Sequence, residues 1–144
     1  MPAAQPAEVV PDFNCRGARQ RLLLIAPPSS YRTVAYLESA RRQGVDVLVA
    51  SEGKFSLVSE VAGGLHVDLS DPMALDVLLA ENRQRPFSGV VATDDSTVEL
   101  GSHVAQALGL PHNPPSAARL SQRKDLSRQA LAAAAVPVPW FRVI

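Results

Sequence analysis

Two groups of polar residues follow apolar runs, in a pattern that could bind a small ligand. Ser29, Ser30 and Arg32 come after the run LLLIA and two prolines, and Asp94 and Asp95 come after the run GVVAT. Hydroxyls and a guanidinium at the start of a helix can receive a small anion. Paired carboxylates can hold a metal ion or the amine of a substrate. These five residues are therefore the candidate substrate contacts of the chain.

Both groups also have a purely structural interpretation. Ser29 or Ser30 can cap the helix that follows, and Asp95 or Ser96 can cap a later helix, because their side-chain oxygens accept hydrogen bonds from free helix amides. Capping and ligand binding both stay open for these positions on the sequence alone.

Residue spacing argues against several other kinds of site. The first apolar run is followed by PPSS, whereas classical dinucleotide binding needs a glycine-rich turn and a phospho-acceptor receiver needs carboxylates at that point. His66, His103 and His112 lie on separate predicted elements without metal-ligand spacing, so no metal site is expected in this chain. Cys15 is the single cysteine, which prevents an internal disulfide, and we interpret it as an incidental exposed thiol.

Short apolar runs alternate with helical patterns along most of the chain. The runs predict strands at 22–26, 45–50, 65–69 (nearer a sheet edge), 89–93 and 110–112. Apolar periodicity, caps and breakers predict helices over about 31–43, 55–62, 72–83, 96–108, 116–121 and 123–135, with an extended segment at 136–139. Gly44 and Gly109 are predicted to end two of these helices, and Asp71 with Pro72 to begin another.

This alternation predicts an α/β fold of the broad Rossmann-like kind. We expect a parallel sheet of about five strands with helices on both faces, because strand-helix-strand units form right-handed crossovers. Such sheets bind ligands at the carboxyl ends of their strands, and the five candidate residues all follow predicted strands.

Composition bears on whether the protein binds nucleic acid or membrane and on its cellular compartment. The chain has 144 residues, 14 basic and 14 acidic, so its formal net charge is zero and no nucleic-acid partner is expected. Apolar runs are too short to cross a bilayer, and the first residues lack a signal-peptide pattern. With one cysteine, these features predict a cytoplasmic protein without a membrane partner. A homodimer is left open.

The C-terminal stretch carries the motifs that identify a family. After a short helix that begins near a proline pair, the sequence has K-x3-R-x2-L and then VPVP at a fixed distance. It closely resembles the N-terminal part of ATP-grasp ligases, which include biotin carboxylase, carbamoyl phosphate synthetase and amino-acid ligases. The matching positions are Gly109 to Pro111, Asn113, Pro114, Lys124, Arg128, Leu131 and Val136 to Pro139, and Ala135 takes the place of the usual glycine.

The resemblance implies a domain plan and a cofactor. Residues 1–19 would be a flexible tail, 20–120 the pre-ATP-grasp domain, and 121–144 the start of the ATP-binding domain. Lys124 would contact the phosphates of ATP, against the alternative of a solvated helix lysine. Arg128 is expected to pair with Asp125 or with solvent.

The resemblance also implies an activity for a longer protein. The complete enzyme would use ATP and Mg²⁺ to activate a small-molecule carboxylate as an acyl phosphate and form a C–N type bond. The subdomains that enclose ATP and the magnesium carboxylates would lie beyond Ile144, so the fragment alone is expected not to catalyse. The competing hypothesis is a non-catalytic binding module, in which residues 27–32 receive a small ligand or a partner.

Overall fold

The computed structural model describes residues 19–52 and 63–142, and it contains a parallel sheet of four strands. The strands are β1 (Arg21–Ile25), β2 (Asp46–Ser51), β3 (Gly63–His66) and β4 (Gly89–Ala92), in the spatial order β3-β2-β1-β4. The helices are α1 (Thr33–Arg42), α2 (Ala74–Gln84), α3 (Asp95–Ala107), α4 (Pro115–Gln122) and α5 (Lys124–Ala133). The predicted α/β class with a parallel sheet is confirmed. The predicted helix at 55–62 lies outside the described residues.

Strand β1 lies inside the sheet and is apolar on both faces. It pairs with β2 from Arg21↔Asp46 to Ile25↔Ala50, and with β4 from Leu22↔Gly89 to Ile25↔Ala92. A strand paired on both sides and covered on both faces needs a continuous apolar run, which is what LLLI supplies. β3 pairs only with β2 among the described strands, in agreement with its predicted edge position.

Helices cover both faces of the sheet, as predicted. On one face, Leu37 of α1 packs with Leu24, Ala26 and Val49. On the other face, α2 and α3 pack on a larger apolar cluster whose buried members are Leu23, Ile25, Leu48, Ala50, Val67, Ala74, Leu78, Phe87 and Val104. Alternate residues of β1 therefore belong to two separate cores, as the pleat of a strand requires.

The predicted fifth strand at 110–112 is wrong, because these residues form no strand in the structure. Leu110 packs against the larger apolar cluster, and its carbonyl is engaged with Nδ1 of His112 at 2.8 Å. Pro111 has no amide proton to give to a neighbouring strand. The apolar character of Leu110 is thus used for packing under α3.

Two helices begin differently from the sequence prediction. Arg32 precedes α1 at its N-cap position, and no side chain in the described part of the chain caps this helix, so capping by Ser29 or Ser30 is wrong. Helix α2 begins at Ala74, two residues after Pro72. Asp71 Oδ1 accepts from the amide of Met73 at 2.8 Å, which places the aspartate in the turn before the helix.

Three helices end in the same hydrogen-bonded turn. Gly44 (φ +68°) and Gly109 (φ +67°) follow α1 and α3 in the left-handed conformation, and their predicted role as helix ends is confirmed. After α5 the same position is held by Ala135 (φ +57°). In each turn the following amide donates to a carbonyl five residues earlier, as Val136 does to Leu131 at 2.9 Å.

A buried arginine ties the amino end of β1 to the end of α2. Arg21 donates to Glu81 Oε1 at 2.7 Å and to the Arg85 carbonyl at 2.6 Å, and its guanidinium lies 4.6 Å from the centre of the Phe87 ring. Asp46, at the start of β2, pairs with Arg85. These contacts lie at the end of the sheet opposite the candidate site.

The C-terminal helices agree with the predicted ones to within two residues at each end. Helix α4 packs against α3 and α5 packs against α4, while no residue of α5 is buried. Among the described residues, no helix is both long and apolar enough to span a membrane.

Candidate functional site

The strand order changes direction between β1 and β4, and open α/β sheets have a crevice at the carboxyl ends of two such strands. The chain moves from β1 outward through β2 to β3 and then returns to β4 on the other side of β1. As a result, the helices that follow β1 and β4 pack on opposite faces of the sheet. Ligands of open α/β sheets bind at such a change of direction. The loops that follow β1 and β4 are therefore the place where a site is expected.

Arg32 reaches from the β1 loop to the end of β4. Its Nη1 donates to the carbonyl oxygen of Thr93 at 2.9 Å, and its Nε donates to the Tyr31 hydroxyl at 3.2 Å. The guanidinium also lies 5.3 Å from the centre of the Tyr31 ring. Arg32 itself is exposed, so these contacts fix a cation at the surface of the crevice.

Thr93 also contacts Asp94, the negatively charged residue of the crevice. Thr93 is only 3% exposed, and its hydroxyl donates to Asp94 Oδ2 at 2.5 Å. Its amide donates to the Ile25 carbonyl at 3.0 Å, which continues the pairing of β4 with β1. The same threonine thus contacts Arg32 through its carbonyl and Asp94 through its hydroxyl.

The Asp94 side chain does not cap α3, although Asp94 occupies the N-cap position. None of the described side chains makes a capping hydrogen bond to this helix, so capping by Asp95 or Ser96 is also wrong. The backbone carbonyl of Asp94 accepts from the amide and the hydroxyl of Thr97, both at 2.9 Å. The Asp94 carboxylate therefore stays turned toward Thr93.

The crevice favours the charged form of Asp94. The neighbouring hydroxyls of Ser30 and Thr93 lower the pKa of Asp94, as does the charge of Arg32, while burial acts in the opposite direction. Ser30 Oγ is buried beside the carboxylate but completes no hydrogen bond of normal geometry. Arg32 and Asp94 are close enough to influence each other but are not among the ion pairs within 4.0 Å in the described part of the chain.

The structure brings together three of the five residues predicted from the strand ends. Ser30, Arg32 and Asp94 converge in the crevice, whereas Ser29 and Asp95 are exposed and make no side-chain hydrogen bond to another described residue. Thr93, which joins the other residues, was not among the five candidates, although it lies in the predicted strand end at 93–97. Its one signal was its place as the last polar residue of the GVVAT run.

Lys124 begins α5 and is exposed. Its neighbours pair with each other, since Arg123 donates to both carboxylate oxygens of Asp125 at 2.9 and 2.6 Å. This hydrogen bonding lowers the pKa of Asp125 to about 2. Lys124 itself forms no ion pair or hydrogen bond with the described residues, which leaves its ammonium available to an anion.

Arg128 differs from its predicted arrangement. The guanidinium lies 5.7 Å from the centre of the Phe141 ring, in cation-π geometry, and Asp125 is taken by Arg123. Of the two predicted alternatives, Asp125 or solvent, the pairing of Arg128 with Asp125 is wrong. The stacking holds the extended segment after α5 against this helix.

The acidic residues of the described ranges do not gather into a metal site. Within 19–52 and 63–142, no group of three or more potential metal-ligating side chains was found. Glu52 accepts from the amide of Leu69 at 3.1 Å, and Asp68 accepts from the amide and hydroxyl of Ser70. These carboxylates accept hydrogen bonds from loop residues and so stabilise the loops.

Solved structures of ATP-grasp enzymes have a similar fold. An L-amino acid ligase from Bacillus licheniformis superposes with a TM-score of 0.70 at 22% identity, over 85% of this chain and 32% of the ligase. A phosphoribosylglycinamide synthetase from Anaerococcus prevotii gives 0.67 at 13% identity, over 82% and 30%. The ADP complex of N5-carboxyaminoimidazole ribonucleotide synthetase gives 0.66 at 14% identity, over 85% and 31%. The chain spans about a third of the length of each of these structures.

The sequence comparisons agree with the structural ones. A search of curated proteins found no significant match. The family model of the ATP-grasp N-terminal domain matches residues 37–112, which is more than half of the chain and includes β2 to α3. The chain therefore belongs to the ATP-grasp N-terminal domain family.

Proposed function

We propose that this chain is the N-terminal part of an ATP-grasp ligase that activates a small-molecule carboxylate and joins it to an amine. The observation that carries the proposal is the family match over residues 37–112, followed at the start of α5 by an exposed Lys124 with no partner among the described residues. We place the pre-ATP-grasp domain at 20–120 and the start of the ATP-binding domain at 121–144. The protein would act in the cytoplasm.

The proposed reaction has two steps. The carboxylate oxygen attacks the γ-phosphorus of ATP, which gives an acyl phosphate and ADP. The amine then attacks the acyl carbon and expels inorganic phosphate, with loss of a proton from nitrogen. Bound MgATP supplies the phosphoryl group and the charge neutralisation that this transfer needs.

Lys124 is the residue of this chain that fits the nucleotide. Its flexible side chain carries a compact positive charge that can offset phosphate charge, and no described residue neutralises it. The described residues offer no cluster of metal ligands, so we assign none of them to Mg²⁺. We propose that the metal is held by other parts of the complete enzyme, and that this chain alone is not catalytic.

The crevice residues would contribute contacts to the substrate. Ser30, Arg32 and Asp94 lie together at the switch point, while Ser29 is exposed on the loop after β1 and Asp95 is exposed at the first position of α3. In this arrangement the domain presents polar groups toward whatever binds above the carboxyl ends of β1 and β4. We propose that they orient the ligand, and the contacts of Arg32 and Asp94 with Thr93 support this role.

The first test is the natural reading frame that contains this chain. The proposal expects it to continue past Ile144 with a glycine-rich flap and a magnesium-binding acidic motif. A stop after Ile144 would favour the competing hypothesis of a non-catalytic binding module.

The second test measures nucleotide binding by the longer product. Lys124→Ala should weaken ATP binding by about tenfold, which corresponds to losing one charge-assisted contact of roughly 1.4 kcal/mol. Arg42→Ala, an exposed cation in the last turn of α1, is the matched control. Equal ATP affinity in the wild type and the Lys124 variant would remove Lys124 from the nucleotide site.

A further inference from the structure

We propose that Asp125 limits the strength of nucleotide binding at Lys124, because it neutralises the neighbouring Arg123 and so keeps a second positive charge from the phosphates. Arg123, Lys124 and Asp125 are consecutive charged residues at the start of α5. Of the two cations, only Lys124 would offer its full charge to ATP. This inference rests on the proposed function, since it takes Lys124 as the contact to ATP, and it concerns how the affinity of that site is regulated.

The first supporting observation is the geometry of the pair that Arg123 and Asp125 form. Nε of Arg123 donates to Oδ1 of Asp125 at 2.9 Å, and Nη2 donates to Oδ2 at 2.6 Å. One guanidinium thus matches both carboxylate oxygens, which is a strong arrangement for these two groups. Hydrogen bonding to Arg123 lowers the pKa of Asp125 to about 2, so the carboxylate is charged at neutral pH.

The second observation is that the pairing depends on where α5 begins. Side chains two positions apart within a helix do not face each other. Arg123 precedes the helix in an extended conformation, with φ −112° and ψ 97°, so its side chain can reach back over the first turn to Asp125. The carbonyl of Arg123 still accepts from the amide of Ser127 at 2.8 Å. A helix that began one residue earlier would separate Arg123 from Asp125 and leave two unpaired cations side by side.

The third observation is that both cations are accessible while only one is paired. Lys124 is exposed and forms no ion pair or hydrogen bond with the described residues. The side chain of Arg123 is 61% exposed, whereas that of Asp125 is 24% exposed. An anion that reaches Lys124 therefore also lies near an accessible guanidinium, whose charge the Asp125 carboxylate offsets.

A limit on nucleotide affinity serves an enzyme that must release a nucleotide product. Binding substrate and transition state more tightly by the same amount gives no gain in turnover, and slow product release can limit the rate. A second free cation would hold the phosphates of both ATP and ADP. Asp125 is accordingly a positioning residue, because it acts through Arg123 and is given no contact of its own with the nucleotide.

The experiment is isothermal titration calorimetry of the longer product of the natural reading frame, with ATP and Mg²⁺ at neutral pH. At about 0.1 M salt, Asp125→Asn should bind ATP about threefold more tightly, because the charge of Arg123 is no longer offset. Arg123→Gln should bind ATP about threefold more weakly, because the Asp125 carboxylate then repels the phosphates. The variant with both changes should have an affinity between those of the two single variants.

The opposite signs distinguish this role from a structural one. A pair that only stabilised the start of α5 would make both single variants bind ATP more weakly. Raising the salt to about 1 M shortens the screening length to about 3 Å, so the differences between the variants should largely disappear. A structural effect would persist at high salt. Arg42→Gln and Asp76→Asn make the same chemical changes at exposed positions of α1 and α2, and they should leave ATP affinity as in the wild type.

The Lys124→Ala variant separates the failure of this inference from that of the proposed function. If Lys124→Ala weakens ATP binding and Asp125→Asn binds ATP no more tightly than the wild type, the role of Asp125 is refuted and the assignment of Lys124 stands. If Lys124→Ala leaves ATP affinity unchanged, the assignment of Lys124 fails and the inference fails with it. A reading frame that stops after Ile144 would reject both.

Discussion

Replacing Ala135 by glycine should stabilise the end of α5. Ala135 has φ +57°, in the left-handed region where an L side chain is strained. Gly44 and Gly109 hold the same position after α1 and α3, with φ +68° and +67°. The three turns have the same hydrogen-bond pattern, so the turns at Gly44 and Gly109 serve as internal controls for the turn at Ala135.

The expected magnitude follows from two opposing effects. A non-glycine residue in the left-handed conformation costs about 1–2 kcal/mol. Glycine loses roughly 0.5–1 kcal/mol more conformational entropy on folding than alanine. The net gain from Ala135→Gly is therefore about 1 kcal/mol. The reverse changes, Gly44→Ala and Gly109→Ala, should cost a similar amount, because a Cβ at either glycine meets no atom within 4 Å and adds no packing effect.

The assay for each variant depends on whether its helix packs on the sheet. Helix α5 has no buried residue, so its last turn can open without global unfolding, and amide hydrogen exchange is the appropriate assay. A gain of about 1 kcal/mol should slow exchange in that turn by about fivefold. Because α1 and α3 pack on the sheet, the two glycine variants should lower the thermal midpoint by about 3 °C.

Two results would refute the reasoning. Faster exchange in Ala135→Gly would show that alanine stabilises this turn by more than its left-handed backbone conformation costs. Unchanged stability of both Gly44→Ala and Gly109→Ala would show that the left-handed turns relax without cost. Either outcome would mean that φ alone does not decide the preference at these positions.

Three further predictions concern stability. Glu81→Ala should lower the free energy of unfolding by roughly 3 kcal/mol in urea denaturation, because it leaves the Arg21 guanidinium buried without its anion; the double change Arg21→Met with Glu81→Leu should cost less. Leu78→Ala should cost about 3 kcal/mol in the same assay, since this side chain is fully buried. The pKa of Asp125 falls from 3.8 to about 2 on folding, so its contribution is complete above the unfolded value and disappears as pH falls through about 2. Asp125→Asn should accordingly flatten part of the acid slope of stability, and an unchanged slope would contradict the pairing with Arg123.

Local sequence patterns correctly predicted those helices and strands whose formation depends only on residues close together in the sequence. The run LLLI is long enough only for a strand, and covering both of its faces requires helices above and below the sheet. Gly44 and Gly109 likewise mark their helix ends, because the left-handed turn is a local property of the backbone. These features need no knowledge of distant residues.

Predictions failed where a competing contact came from elsewhere. Residues 110–112 are apolar enough for a strand, but Leu110 packs into the cluster beneath α3 and Pro111 offers no donor. The predicted cap of α3 by Asp95 or Ser96 fails for a different reason, because Asp94 takes the N-cap position and no described side chain makes a capping hydrogen bond there. At residues 110–112, packing on the distant cluster replaced the strand that the apolar pattern favoured.

Apolar periodicity and turn residues act over short distances, so they were sufficient to predict the α/β class, the parallel sheet and the loops on which candidate residues lie. Which of those residues meet depends on the packing of the whole sheet. Arg32 and Thr93 are 61 positions apart, and they come together only because β4 returns to the far side of β1. Strand order depends on packing across the whole sheet, so the crevice and the two charges that Thr93 holds there could not be read from spacing along the chain.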